Sequence, residues 1–92
     1  MIQSFKGKSA EALWEGKRSK LPSDILQRAV DKLSILHAST DIDSLRIPPS
    51  NHLEALSGDR KGQHSIRINS QWRICFRWEN GNAYEVAITD YH

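Results

Sequence analysis

Arginines recur at alternating positions in the second half of the chain, and their spacing suits chemistry on phosphate. Between residues 72 and 78, apolar side chains alternate with Arg73 and Arg77, so a strand would present both arginines on one face. In the preceding run, isoleucines alternate with Arg67 in the same way. If the apolar sets share a face, the three arginines lie together on the opposite face. A basic sheet surface of this kind suits a phosphate-rich partner.

Groups that exchange protons follow the last apolar run, in the sequence Asp90-Tyr91-His92. Histidine has an ordinary pKa of about 6.5 and is the usual residue for proton transfer near neutral pH. We predict that this tail lies beside the arginines and supplies acid–base groups. The alternative is a frayed terminus without a role.

The histidines and the cysteine do not indicate a metal site. His52 and His64 have no compact ligand spacing, and Cys75 is the only cysteine. We therefore predict no metal and no cofactor. A single cysteine also excludes an internal disulfide and favours a reducing compartment.

The length and composition predict one soluble domain over residues 1–92. A chain of 92 residues has room for one core, and its net charge of +2 is too mild to identify a partner by itself. The apolar runs are short, so we predict no membrane span, no secretory signal and a cytoplasmic location.

The periodicity places two helices before the strands. Ser9 is a candidate N-cap of a short first helix that ends near Gly16. Pro22 suits the first turn of a second helix, whose apolar residues between Leu26 and Leu36 recur at three- and four-residue spacing. Residues 2–5 are long enough for only a short strand.

An antiparallel meander follows a connection that contains Pro48-Pro49. Asn80-Gly81 is a typical hairpin turn between the last two strands. The order β-α-α-β-β-β predicts an α+β fold in which the helices cover one sheet face. The side chains predicted on that face are Ile66, Ile68, Trp72, Ile74, Phe76, Tyr84, Val86 and Ile88.

The run LEALSGDRKGQHSIRINSQWRICFRW at residues 53–78, together with the terminal Asp-Tyr-His, resembles the HigB family of bacterial type II toxins. That family belongs to the RelE/ParE-like group, and the resemblance covers nearly the whole chain. It implies a RelE-like fold, with two N-terminal helices on one face of a mainly antiparallel sheet of four to five strands. It also implies a ribosome-dependent endoribonuclease that cuts mRNA in the A site.

The resemblance implies metal-independent cleavage by attack of a 2′-OH on the adjacent phosphate. Such a reaction needs a base, an acid and positive charge at the phosphate. Arg73 is the first candidate for the charge, and His92, Asp90 and Tyr91 are candidates for proton transfer or RNA contact. The sequence leaves open which of the last three moves a proton. The alternative for Arg73 is a solvated arginine paired with Glu85.

Further residues are candidates for RNA contacts. Arg67 and Arg77 share the predicted face with Arg73, and Arg67 either contacts the RNA backbone or forms a cross-strand charge pair. Arg60 and Lys61 are either ribosomal RNA contacts or ordinary solvated charges.

The chain departs from the family pattern between Leu53 and Gly58. The resemblance implies a histidine and a lysine in this stretch, whereas Glu54 and Ser57 occupy those positions here. A glutamate is able to act as a base, but it also repels phosphate. The expectation is a weak or conditionally active toxin.

The resemblance also implies partners. These are a cognate helix-turn-helix antitoxin of the HigA type, the ribosome with its mRNA, and operator DNA only through the antitoxin complex. Two alternatives remain open. One is a ParE-like inhibitor of DNA gyrase, and the other is an RNA- or ribosome-binding module without catalysis.

Overall fold

Four antiparallel strands form one sheet within residues 1–90, the part of the chain that this computed structural model describes. The strands lie side by side in chain order: β1 (Glu54–Ala55), β2 (Gln63–Arg67), β3 (Trp72–Glu79) and β4 (Asn82–Asp90). The predicted meander is confirmed, with the short β1 before it. Tyr91 and His92 lie outside the described residues, so the predictions made for them remain predictions.

A two-residue turn joins β3 to β4. Asn80 and Gly81 both have positive φ, 51° and 79°, and Glu79 lies opposite Asn82. Positive φ at both central residues matches the right-handed twist of the strands, and asparagine and glycine tolerate it best. The hairpin predicted from this pair is confirmed.

The first residues of the chain run beside β4. Ile2 and Phe5 form isolated parallel bridges to Ala83 and Val86. The amide of Gln3 donates to Ala83 O at 2.8 Å. The strand predicted at the start of the chain therefore follows the sheet edge but is reduced to two bridges.

Two helices cover one face of the sheet, as predicted. They are α1 (Ser9–Trp14) and α2 (Leu26–Ala38). The second helix places its apolar stripe against the sheet, and its buried residues are Ala29, Leu33 and Leu36. The stripe forms because residues three and four apart share one side of a helix.

The helix starts differ from the predictions. Lys8 occupies the N-cap of α1, and its side chain forms no capping hydrogen bond. Ser9, the predicted cap, is instead the first helical residue. Pro22 lies just before a 3₁₀ turn, Ser23–Ile25, which leads into α2. Its φ of −54° suits that entry, although it stands one step earlier than predicted.

The core lies between the helices and the sheet. Most of the predicted sheet face is there, but Tyr84 is not, because β4 carries a register shift opposite β3. Arg77 lies opposite Tyr84 and Cys75 opposite Ala87, so β4 has one extra residue, and Glu85 has φ 53°. The bulge moves Tyr84 to the arginine face and leaves Ala83 fully buried in the core.

Candidate active site on the open sheet face

The sheet face opposite the helices carries the polar side chains, and we call it the open face. The pairs Ser65–Cys75, Arg67–Arg73 and Cys75–Ala87 lie directly opposite each other in register, so their side chains share this face. Its members include Ser65, Arg67, Arg73, Cys75, Arg77, Ala87 and Thr89.

Arg73 lies on the open face, as predicted, but it is buried rather than solvated, with only 8% of its surface exposed. Its Nε donates to Ser65 Oγ at 2.8 Å, and Nη2 donates to His52 O at 2.5 Å and to Ser65 O at 3.4 Å. Hydrogen bonds donated by the fork of the guanidinium fix its plane. The structure thus holds one cation in a defined orientation near the start of β3.

Glu54 reaches the same guanidinium from β1. Its Oε1 lies 3.9 Å from Arg73 Nη1, and its side chain is 56% exposed. Glu54 stands opposite Ser65 in register, which explains why the short β1 brings it there. Ser57, the second departure from the family pattern, is exposed and begins the turn that follows.

The loop after β1 folds back over the open face. Arg60 ends the turn Gly58–Arg60, and its Nη1 donates to Cys75 Sγ at 3.3 Å. Cys75 and Arg73 are two positions apart on the same face of β3, so two guanidinium groups approach one region. Lys61 is exposed and makes no side-chain hydrogen bond or ion pair within residues 1–90. The sequence did not distinguish the roles of Arg60 and Lys61, because a loop has no periodicity that indicates which side chain contacts the sheet.

The other two arginines of the open face point away from Arg73. Arg67 Nε donates to Asn69 O at 3.0 Å, which turns the side chain toward the β2–β3 turn. Arg77 lies at the other end of β3, 3.6 Å from Glu85 and 3.9 Å from Glu79, with its guanidinium 5.9 Å from the ring centre of Tyr84. Glu85, offered as a partner for Arg73, therefore pairs with Arg77.

Asp90 is the last residue of β4 and lies near Arg73 in register. Thr89 stands opposite Arg73, and Asp90 stands opposite Trp72. The exposed carboxylate of Asp90 accepts a hydrogen bond from Gln71 Nε2 at 3.1 Å. Tyr91 and His92 follow outside the described residues. The structure thus places Asp90 at the Arg73 end of the sheet, but its register partner Trp72 packs on the helix-covered side, so the Asp90 side chain alternates to the face opposite that of Arg73.

A cleft of about 400 Å³ opens on this face. Lys6 and Arg60 line it together with Cys75, Ala87 and Thr89. Residues 1–90 contain no group of three or more histidine, cysteine, aspartate or glutamate side chains placed to hold a metal ion. In that same range no helix has the length and apolar character needed to cross a membrane.

Ser65 and Cys75 are site residues to which the sequence gave no role. Both follow the same two-residue alternation as the arginines, so that signal identifies their face. It does not identify their contacts with Arg73 and Arg60. The backbone oxygen of His52 carries no sequence signal at all.

Comparison with known proteins identifies relatives over the full length of the chain. The HigB-like toxin family profile, described as the RelE-like toxin of type II toxin–antitoxin system HigB, matches residues 3–92. Endoribonuclease HigB of Proteus vulgaris is 39% identical over 93 aligned positions, which cover 100% of both chains. Toxin HigB-1 of Vibrio cholerae is 45% identical over 93 positions, which cover 99% of this chain and 94% of the relative.

Solved structures share the fold at low sequence identity. A mutant of YafQ from E. coli superimposes with a TM-score of 0.66 at 12% identity, covering 98% of this chain and 91% of that one. YoeB–YefM, a heterotetrameric toxin–antitoxin complex from Staphylococcus aureus, contains a chain with a TM-score of 0.57 at 17% identity, covering 100% and 98%. These likenesses establish the RelE-like fold.

Proposed function

This chain belongs to the HigB-like family of RelE-like toxins of type II toxin–antitoxin systems, and we propose that it is an endoribonuclease that cuts mRNA in the ribosomal A site. The observation that carries the proposal is the buried guanidinium of Arg73, fixed on the open face of the sheet. The relative from Proteus vulgaris is named an endoribonuclease, which supports the same activity here.

Arg73 stabilises the charge that develops when a 2′-OH attacks the neighbouring phosphate. The phosphorane carries more negative charge on its oxygens than the ground state does, so a preorganised cation favours the transition state. The hydrogen bonds from Arg73 to Ser65 and His52 O set its orientation before RNA binds. Little reorganisation is then needed during the reaction.

Arg60 adds a second cation over the same face. Its contact with Cys75 holds it two positions from Arg73 along β3. Since Arg60 is otherwise exposed, it suits contact with the RNA backbone rather than with the reacting atoms.

Proton transfer is assigned to the terminal segment Asp90-Tyr91-His92. Thr89 lies directly opposite Arg73, so the segment begins at the Arg73 end of β4, although the Asp90 side chain itself alternates to the other face. In the proposed reaction one group accepts the proton of the 2′-OH and another protonates the leaving 5′-oxygen. His92 is the favoured acid, because imidazole is the side chain that exchanges protons most readily near neutral pH.

Glu54 lowers the activity of this toxin. Its carboxylate lies 3.9 Å from Arg73 Nη1, where it offsets part of the positive charge and repels phosphate. The expected result is a toxin that arrests growth only at high expression. Growth arrest at low expression would contradict this part of the proposal.

The family implies an antitoxin partner for this chain, since its members are toxins of toxin–antitoxin systems. We further propose that the antitoxin is a HigA-like helix-turn-helix protein encoded beside the toxin and that operator DNA is bound only through the complex. Action on ribosomes places the toxin in the cytoplasm.

The test is inducible expression followed by mapping of mRNA 5′ ends. Wild type is expected to stop growth and to create new 5′ ends within translated codons, whereas Arg73→Ala and a deletion of His92 are expected to do neither. Antitoxin binding and circular dichroism of the purified variants serve as controls for folding. A DNA-damage response without new 5′ ends would favour the gyrase alternative instead.

A further inference from the structure

A second cleft lies outside the open face, between α2 and the turn that joins β2 to β3. Its volume is about 480 Å³. Arg28 and Lys32 line it from the helix, and Asn69 lines it from the turn. Ile35 and Ile68 add apolar surface, so the lining offers charge, hydrogen-bonding groups and a hydrophobic contact together.

The cleft is positively charged. Arg28, Lys32 and Arg67 face a single carboxylate, Asp31, whose Oδ1 accepts a hydrogen bond from Gln27 Nε2 at 3.0 Å. Within residues 1–90 none of the three cations forms an ion pair. Such a group of cations has an unmet preference for an anion.

Lys32 is held in place rather than mobile. Its Nζ donates to Asn51 Oδ1, and the fully buried Asn51 is fixed because its Nδ2 donates to Leu45 O at 3.1 Å and to Ile47 O at 3.3 Å. Burial lowers the pKa of Lys32, and the nearby charge of Arg28 lowers that pKa further, partly offset by Asp31. An anion in the cleft would relieve this repulsion between the two cations.

Two residues connect the cleft to the proposed cleavage site. His52 lines the cleft, and its carbonyl accepts the hydrogen bond from Arg73. Arg67 also lines the cleft, while its backbone stands opposite Arg73 in the sheet. The cleft is therefore next to the open face at the end of β2. One extended RNA strand bound at Arg73 is able to reach it.

We propose that this cleft binds a nucleotide of the RNA strand away from the scissile bond, with its phosphate against Arg28 and Lys32. This inference rests on the proposed RNA substrate. The ribose or base packs against Ile35, and Asn69 presents Nδ2 as a donor because its Oδ1 already accepts from the amides of Gln71 and Trp72. A carboxylate from a peptide would also neutralise these cations, but peptide binding would not explain why the cleft adjoins the Arg73 region.

The test measures binding of a fluorescein-labelled 2′-O-methyl oligoadenylate, which lacks the attacking hydroxyl and stays intact. Arg28→Gln and Lys32→Gln are each expected to weaken binding about fivefold at about 0.1 M salt, because each removes one phosphate contact. The dependence of log K on log salt should decrease by about 0.7 per substitution. Arg18→Gln is the matched control, since Arg18 is exposed, forms no ion pair within residues 1–90 and lies outside both clefts.

The binding test distinguishes failure of the cleft proposal from misfolding of a variant and from failure of the proposed function. Arg28 is exposed on α2, so its substitution leaves the fold intact even if Lys32→Gln loosens Asn51. If wild type cuts no mRNA, weaker oligonucleotide binding by Arg28→Gln relative to Arg18→Gln still supports the cleft. If wild type cuts mRNA and the cleft variants bind as the control does, the cleft proposal is wrong and the proposed function stands.

Two further results would overturn the nucleotide assignment. Loss of antitoxin affinity with unchanged RNA affinity would assign the cleft to an acidic segment of the antitoxin. Backbone amide NMR shifts at Asn69 and Ser70 on addition of inorganic phosphate, again with unchanged RNA affinity, would reduce it to a small-anion site. Higher KM with unchanged kcat in Arg28→Gln would support a binding subsite remote from the chemistry.

Discussion

Arg73 and Arg77 lie on the same strand and the same face, yet their surroundings differ completely. The Arg73 side chain is 9% exposed and is held by the neutral oxygens of Ser65 and His52, with Glu54 nearby. The Arg77 side chain is 41% exposed and lies beside two glutamates and the ring of Tyr84. One residue type at equivalent positions thus gives a fixed internal cation and a solvated charge pair.

The difference shows that a shared face does not define a site. Exposed ion pairs contribute about 0.2–1 kcal/mol and rearrange readily, so Arg77 is not preorganised for a transition state. Burial and the hydrogen bonds that Arg73 donates to neutral oxygens fix its side chain in one orientation. We therefore propose that the chemistry takes place at the Arg73 end of the face, and substitutions at the two ends test that proposal.

The largest effect is expected from Arg73→Ala. Removing a preorganised group that stabilises developing charge lowers kcat by about 100- to 1000-fold. Cleavage of mRNA on purified ribosomes measures this loss. Arg73→Lys retains the charge without the planar fork and should recover only part of the activity. Full activity in Arg73→Ala would contradict the assignment.

Arg60→Gln should have a smaller effect on the same end of the face. Loss of one backbone phosphate contact raises the KM for RNA about fivefold at about 0.1 M salt, with kcat nearly unchanged. Steady-state cleavage at varied RNA concentration separates the two constants. Lys61→Gln is the matched control, because Lys61 is adjacent and exposed without a contact to Cys75 in the described part of the chain. A loss of kcat in Arg60→Gln would place Arg60 at the reacting atoms.

Glu54→Gln should improve RNA binding. Removing the carboxylate beside Arg73 strengthens binding about threefold, since an ion pair with an exposed partner contributes about 0.2–1 kcal/mol. Titration with 2′-O-methyl RNA measures the gain, and Glu79→Gln at the Arg77 end supplies the comparison. If kcat falls instead, Glu54 acts as a proton acceptor and its proposed inhibitory role is wrong.

The smallest effect is expected from Arg77→Gln. Cleavage should stay within about twofold of wild type, because Arg77 is an exposed charge already paired with glutamates. Measured beside Arg73→Ala in the same assay, this variant tests the comparison directly. A loss as large as that of Arg73→Ala would mean that both ends of the face act on the substrate.

The alternation of residues predicted the sheet faces correctly wherever the strands are regular. It placed Arg73 on the sheet face opposite to that of the buried Ile74, and the Asn80-Gly81 pair predicted the hairpin. It failed at Tyr84, because one extra residue in β4 reverses the alternation and the sequence around Glu85 gives no warning. A period of two has no means of showing a bulge that tertiary packing stabilises.

The burial of Arg73 in the candidate site could not be predicted from the sequence either. Alternation gives the face of Arg73, but its burial depends on β1 and on the backbone at His52, which are set by a connection without periodicity. For the same reason, the sequence did not indicate which of Arg60 and Lys61 contacts the open face. The role of Asp90 stays a prediction, and those of Tyr91 and His92 concern positions outside the described residues.

The pairing of the opening residues with β4 has a consequence for the timing of synthesis. Ile2 and Phe5 bridge to Ala83 and Val86, so this contact joins segments made early and late on the ribosome. Contacts between segments so distant in sequence form slowly, because most of the chain must be ordered to close them. A nascent chain cannot complete its sheet until β4 has emerged, so residues 2 and 5 lack their sheet partners until synthesis of the domain is nearly finished.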